Sequence, residues 1–231
     1  MGLPEISIKF QSLAVSAVRR SQRGVVALVL KDDTGDFDTK EYRVITDIDP
    51  SDWTEVNKDY IEKAFLGVPS KIIVERIDAD AVNYNAALQR LASKRWNWGA
   101  IPGLQTADVE TVSTWLKTQR DNFKKTFKMV LPNSTSDHEG IVNFATDDIV
   151  VGEKTYTTAE YCARLAGIFA GLSLQRSSTY YVLPEVGSIT ESADPDADID
   201  DGKLILINDD GVKIGRGVNS LTTLDVTKGE D

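Results

Sequence analysis

Lys71-Ile-Ile-Val-Glu-Arg-Ile77, Trp96-Asn-Trp-Gly-Ala-Ile101 and Phe127-Lys-Met-Val-Leu131 are apolar segments separated by two amphipathic ones, and their alternation decides the fold. The spacing predicts a helix over about 82–93 between the first two. It predicts a second helix, capped by Thr106 and running to about Arg120, with Val109, Val112 and Leu116 on one face. Strand–helix–strand spacing of this kind marks parallel βαβ units with right-handed crossovers. Working outward, Val25 to Leu30 is a continuous apolar strand of the kind buried on both faces. Tyr42 to Ile45 reads as a further strand, and residues ~54–66 as a helix closed by Gly67.

Beyond Pro132 a polar loop, Asn133 to Glu139, leads to strands at about 140–144 and 148–151. Thr157-Thr-Ala-Glu160 is a capping box, because the Thr hydroxyl and the Glu carboxylate each satisfy an exposed amide. It opens the most apolar helix, Tyr161 to Leu174, whose Ala163, Gly167, Ala170 and Gly171 make a small-residue side suited to close packing. A strand over ~179–183 and an acidic loop, Ser192 to Gly202, follow. Lys203 to Ile207 and Val212 to Ile214 read as a hairpin, since Asp210-Gly211 supplies the positive φ of a tight turn. The expected fold class is α/β: a mixed sheet with flanking helices near 54–66, 83–93, 107–121 and 158–173, plus an N-terminal extended arm. The expected division is an arm over 1–23 and one body over 24–231 that carries the acidic loop at 192–202. Within the arm Ile6, Ile8 and Phe10 share one strand face. Leu13 and Val15 fall on the other phase, so a bulge or a break belongs near Gln11–Ser12.

Charge narrows the partners. The chain of 231 residues carries 26 Lys+Arg against 36 Asp+Glu, a net −10. Residues 1–130 hold 19 basic and 18 acidic side chains, and residues 131–231 hold 7 and 18. The acidic second half repels phosphate backbones, and no basic run with interleaved aromatics occurs in the first half, so nucleic acid is not an expected partner. Lys124, Lys125 and Lys128 come nearest and read as the end of a helix with their heads in water. The longest purely apolar run, Val25 to Leu30, is six residues, far short of a bilayer span. No signal-peptide pattern opens the chain.

The chemistry-bearing residue types do not assemble. One Cys and one His exclude a disulfide within the chain and a four-ligand Cys/His zinc site. Asp194, Asp196, Asp198, Asp200 and Asp201 invite calcium, but neither register gives Gly at the sixth loop position or Glu at the twelfth. Gly211-Val-Lys-Ile-Gly215-Arg-Gly217 follows a hairpin turn and opens no helix, so it is no phosphate cradle. Gly171-Leu-Ser173-Leu-Gln175 lacks the last Gly of a nucleophile elbow. His138 sits between Asp137 and Glu139 in a polar loop with no sign of the held, desolvated setting of a general base. Cys162 reads as a small core residue, and Trp53, Trp96, Trp98 and Trp115 as core or subunit-contact residues, with Trp96 and Trp98 on one side of their strand. No catalytic residue, cofactor or metal is expected. The alternative is an α/β enzyme or small-ligand binder with its site at the strand ends, near Pro102-Gly103 and Pro132 to Ser136.

Three stretches belong together: Gly2-Leu-Pro-Glu-Ile-Ser-Ile-Lys-Phe10 running on through Arg23-Gly-Val-Val-Ala-Leu-Val-Leu-Lys31; Thr158-Ala-Glu-Tyr-Cys-Ala-Arg-Leu-Ala-Gly167 with Thr179-Tyr-Tyr181; and Lys203-Leu-Ile-Leu-Ile-Asn208 followed by Gly211-Val-Lys-Ile-Gly-Arg-Gly-Val-Asn-Ser-Leu-Thr-Thr223. Taken together they resemble the contractile-tail sheath proteins of bacteriophages, defective prophages and R-type bacteriocins. The resemblance rests on their combination and order, none being catalytic alone. It implies a structural subunit that stacks in helical rings around a tail tube and contracts to drive it through a target envelope. Its implied partners are neighbouring sheath subunits, the tube protein and the baseplate. Its implied location is a virion tail or tail-like particle assembled in the bacterial cytoplasm. Members of that family usually continue past Lys228-Gly-Glu-Asp231 into a further C-terminal region and an extended arm, which this sequence lacks, so it is expected to be either a fragment or an unusually short member. The resemblance also implies that the strand bearing Ile6, Ile8, Phe10, Leu13 and Val15 contacts a neighbouring subunit.

Overall fold

The computed structural model describes residues 23–223. The expected strand contact of Ile6, Ile8, Phe10, Leu13 and Val15, and the arm to which it belongs, lie outside the described residues. Among the described residues the central sheet has seven strands in the order β10-β6-β5-β4-β1-β3-β2. These are β1 (Val25–Lys31), β2 (Thr39–Tyr42), β3 (Lys71–Ile77), β4 (Trp98–Ala100), β5 (Lys128–Pro132), β6 (Ile141–Phe144) and β10 (Lys203–Leu204). All neighbours are parallel except β2, which runs antiparallel to β3 at one edge. The parallel strands therefore wind outward in both directions from β1 and β4, the order of a doubly wound sheet.

Helices cover both faces, as that winding requires. On one side lie α1 (Glu55–Phe65) and α4 (Thr158–Gly171), packed through Tyr60, Ile61, Ala64, Tyr161, Leu165 and Ile168 on Val26, Leu28 and Leu30 of β1. On the other lie α2 (Asn85–Ala92) and α3 (Thr106–Asp121), where Leu88, Leu91, Val112 and Leu116 meet Ala27, Val29, Met129 and Leu131. The two faces of β1 belong to two separate cores, which is why its sequence is apolar throughout. Beyond α4, a three-stranded antiparallel sheet, β8-β7-β9, is built from β7 (Asp147–Val151), β8 (Lys154–Tyr156) and β9 (Ser188–Thr190). Its Ile149 and Tyr156 extend the α1/α4 core.

The small-residue side of α4 does pack closely. A Cβ on Gly167 would lie 2.1 Å from the Ala64 carbonyl oxygen, and one on Gly171 would lie 1.6 Å from that of Gly67. The Thr157–Glu160 capping box is complete, with both side chains bonded across the first turn.

Several expectations need correction. Gln105, not Thr106, is the N-cap of α3, and its side chain makes no capping bond. The strand expected at Tyr42–Ile45 ends at Tyr42, and Ile45–Asp47 is a single 3-10 turn whose Asp47 carboxylate accepts the Arg43 and Val44 amides. Trp96 and Trp98 face opposite ways, because Trp96 precedes β4 and strand alternation does not govern it. Trp96 stacks on Phe127 at 4.1 Å on the α3 side, and Trp98 on Phe169 at 4.7 Å on the α4 side. Among the described residues the segment at 179–183 forms one antiparallel bridge, Val182 to Lys213, rather than a strand. Within 192–202 a one-and-a-half-turn helix, α5 (Pro195–Asp200), forms behind an Asp194 N-cap. The expected 203–207 strand splits. Lys203–Leu204 joins the main sheet beside β6, and β11 (Leu206–Asn208) pairs with β12 (Val212–Ile214). Asp210 and Gly211 do turn the hairpin, at φ 51° and 100°.

Candidate functional site

In a doubly wound sheet the ligand crevice opens at the C-terminal ends of the strands where winding reverses. The molecule has a cleft of about 300 Å³ there, beside Lys31 at the end of β1 and Pro102-Gly103 beyond β4. Its polar groups are occupied by the protein itself. Lys31 Nζ donates to the Ala81 carbonyl at 2.6 Å and sits 5.0 Å from the Tyr84 ring centroid. Asn57 Nδ2 donates to the Lys31 carbonyl and to Asp32 Oδ2. The Tyr60 hydroxyl donates to Glu160 at 2.6 Å, and burial together with that carboxylate raises its pKa far above a phenol's ordinary value. Asp32, 1% exposed, faces α1 and accepts from the Thr34 and Thr54 amides, the Thr54 hydroxyl and Asn57. Burial alone would push this carboxyl up, but those hydrogen bonds outweigh it and bring it to about 2.

The second strand-end segment named by the sequence, Pro132 to Ser136, buries Ser134 and Ser136. Ser136 Oγ donates to Ser113 Oγ at 2.8 Å, and both hydroxyls also reach Glu110 Oε2, at 3.4 and 3.3 Å, a local network that ties the loop to α3. His138 does lie in the loop between β5 and β6, but the loop holds it and buries it. It is 8% exposed, its Nδ1 accepts from the Gly140 amide at 2.9 Å, and its Nε2 faces Glu139 at 3.3 Å. An accepting Nδ1 leaves the proton on Nε2. Glu139 is held in turn by Arg120, whose guanidinium also donates to the Phe127 carbonyl. The imidazole thus braces the turn before β6, and the Glu139–Arg120 ion pair fastens that turn to α3. Burial favours a raised Glu139 pKa, yet Arg120 holds it below the ordinary carboxylate value. Cys162 is wholly buried, with its thiol pushed up by desolvation, in keeping with the core role read from the sequence. Among the described residues no group of three His, Cys, Asp or Glu is arranged to hold a metal. Among them no helix is long and apolar enough to cross a membrane.

At the opposite end of the sheet, where β1, β4 and β5 begin, a second cleft of about 390 Å³ is lined by Val25, Lys94 to Asn97 and Lys124 to Phe127. Asn97 closes its floor, its side-chain oxygen accepting from the Val25 amide at 2.8 Å and its own amide donating back to the Val25 carbonyl at 2.9 Å. Lys94 Nζ is drawn to buried Glu75, which also accepts from Arg90. The sequence treated Lys124, Lys125 and Lys128 as a local run. It had no signal that Lys94-Arg95, some thirty residues earlier, would lie beside them. The parallel pairing of β4 with β5 brings the two together.

The fold is that of sheath proteins with known structures. The sheath tail protein of Listeria innocua superposes with a TM-score of 0.77 at 15% identity, covering 93% of this chain and 73% of that one. The sheath tail protein of Desulfitobacterium hafniense does so at 0.75 and 16%, covering 88% and 73%. The "Tail sheath protein" of Clostridium phage phiCD119 is 36% identical across 99% of this chain, which spans 66% of that relative's length. The family model for the phage tail sheath protein central domain matches residues 78–220. The chain belongs to the phage tail sheath protein family.

Proposed function

We propose that the chain is a structural subunit of a contractile tail sheath, stacking helically around a tail tube and contracting to drive it through a cell envelope. The family match over residues 78–220 carries this reading. The relative from the Clostridium phage, itself called a tail sheath protein, supports it. The partners are other copies of the chain, a tube protein and a baseplate, and the place is a virion tail or tail-like particle assembled in the cytoplasm. The reading assigns the chain no catalytic step and no cofactor. The strand-end cleft favours no rival, since its lysine, amide and phenol are each bonded to the protein.

Residues 1–23 act as an arm separate from the 24–231 body, and Ile6, Ile8, Phe10, Leu13 and Val15 form a strand added to a neighbour's sheet. What supports this is their period-2 pattern ahead of a polar break at Arg19 to Gly24. Electron microscopy of the longest natural form of the protein tests the proposal. Ordered tubes of helical symmetry are expected, and discrete monomers at all concentrations would overturn it.

A further inference from the structure

We propose that the basic cleft at the N-terminal ends of β1, β4 and β5 docks the acidic α5 segment of a second copy of this chain. The proposal rests on the sheath reading and names one of its contact surfaces.

The cleft is a concentration of unpaired positive charge in a chain of net −10. Of its lining, Arg95, Lys124 and Lys125 make no ion pair among the described residues, and neither does Lys128, the next lysine along the chain. The three lysines are also held in place. Lys125 Nζ lies 5.8 Å from the Phe127 ring centroid and Lys128 Nζ 5.3 Å from that of Trp98. Lys124 occupies the left-handed region at φ 54° and donates to the Asp121 carbonyl. Cations placed over rings that are themselves stacked in the core keep their position without a carboxylate.

The complement is on the same molecule. Glu191, Asp194, Asp196, Asp198, Asp200 and Asp201 surround α5, and Lys203 is the one cation paired with them among the described residues. Lys203 takes Asp198 at 2.7 Å and Asp201 at 3.6 Å, which leaves Glu191, Asp196 and Asp200 exposed and without a cation. The segment leads into β10, which lies two strands beyond β5, so α5 and the cleft occupy different positions along the same end of the sheet. No ion pair joins them within one chain among the described residues. A contact between two different patches of identical subunits is head-to-tail, and repeats into a ring or an open helix rather than closing as a two-fold dimer. A polar, charged cleft of this kind also selects its partner electrostatically, so the contact should weaken with salt.

The test is a charge swap in the longest natural form, read by sedimentation velocity and electron microscopy, with circular dichroism to verify folding. Lys124→Glu/Lys125→Glu alone and Asp196→Lys/Asp200→Lys alone are each expected to weaken self-association at least tenfold at low salt. An equimolar mixture restores it, because each copy again meets an opposite charge. A mixture of Lys124→Cys and Asp196→Cys chains should form a disulfide-linked dimer on mild oxidation, buried Cys162 not competing. If native chains form tubes but the mixture is no better than either variant alone, this contact is wrong and the sheath reading stands. If native chains do not associate at all, the sheath reading falls and takes the contact with it. Binding of an oligonucleotide that Lys124→Glu/Lys125→Glu abolishes, without rescue in the mixture, would reassign the cleft to a nucleic acid.

Discussion

Asp32 and Gly167 show how single residues fix this structure. Asp32 ends β1 with both carboxylate oxygens filled by donors from Thr34, Thr54 and Asn57, and so ties the strand to the start of α1. With the folded carboxyl at about 2 against 3.8, its ionised form stabilises the fold above pH ~4, by about 2 kcal/mol. That contribution disappears as pH falls from about 4 to about 2. Asp32→Ala is therefore expected to lose at least that much at neutral pH in urea denaturation, and the gap from the native chain should narrow below pH 4. A gap that stays constant down to pH 2 would show that the ionised form is not what matters. Gly167 sets two effects against each other. Alanine gains about 1 kcal/mol of helix propensity, but its Cβ would fall 2.1 Å from the Ala64 carbonyl, a backbone atom that yields only if α1 moves. Overpacking of that kind costs about 1–3 kcal/mol or more, so Gly167→Ala should be net destabilising. A stabilised variant in thermal unfolding would mean that α1 and α4 do not approach this closely.

Among the elements, α4 depends most on its first turn, which carries the capping box of Thr157 and Glu160. Thr157→Ala should cost about 1 kcal/mol in denaturant midpoint stability, with no change in the native circular dichroism spectrum. This helix was legible in the sequence, cap and small-residue face alike, because both signals are local. The two-sided burial of β1 was legible for the same reason. What escaped was whatever depends on a distant partner. β8 and β9 are three residues each, too short for period-2 alternation to mark, and exist through pairing with β7. The split between β10 and β11 is decided by β6 and β12, which compete for adjacent residues. His138 looked solvated from its acidic neighbours, whereas Arg120, eighteen residues away, neutralises Glu139 and lets the turn bury. Of the sites, the strand-end position at Pro102-Gly103 was readable from topology alone. The basic cleft was not, since it joins residues from two connections.

For the whole molecule, the decisive question is whether the body needs the N-terminal segment. Residues 23–223 contain both cores of the central sheet, and Val26 to Leu30 are at most 1% exposed between the helices of its two faces. The body should therefore fold on its own account. Ile6, Ile8 and Phe10 project to one side if the segment pairs as a strand, and burying three such side chains supplies about 5–8 kcal/mol. Ordering the backbone costs ~1–2 kcal/mol per residue, so the strand needs main-chain pairing with another sheet edge as well as apolar cover. On the sheath reading a neighbouring subunit offers that edge. Ile8→Asp places a charge on the buried side, and is expected to abolish tube formation in electron micrographs of the longest natural form. Its circular dichroism and denaturant midpoint as a monomer should stay within about 0.5 kcal/mol of the native chain, the usual range for a substitution outside the core. Tubes that form unchanged, or a monomer that unfolds, would place this strand in its own body's core and remove its linking role.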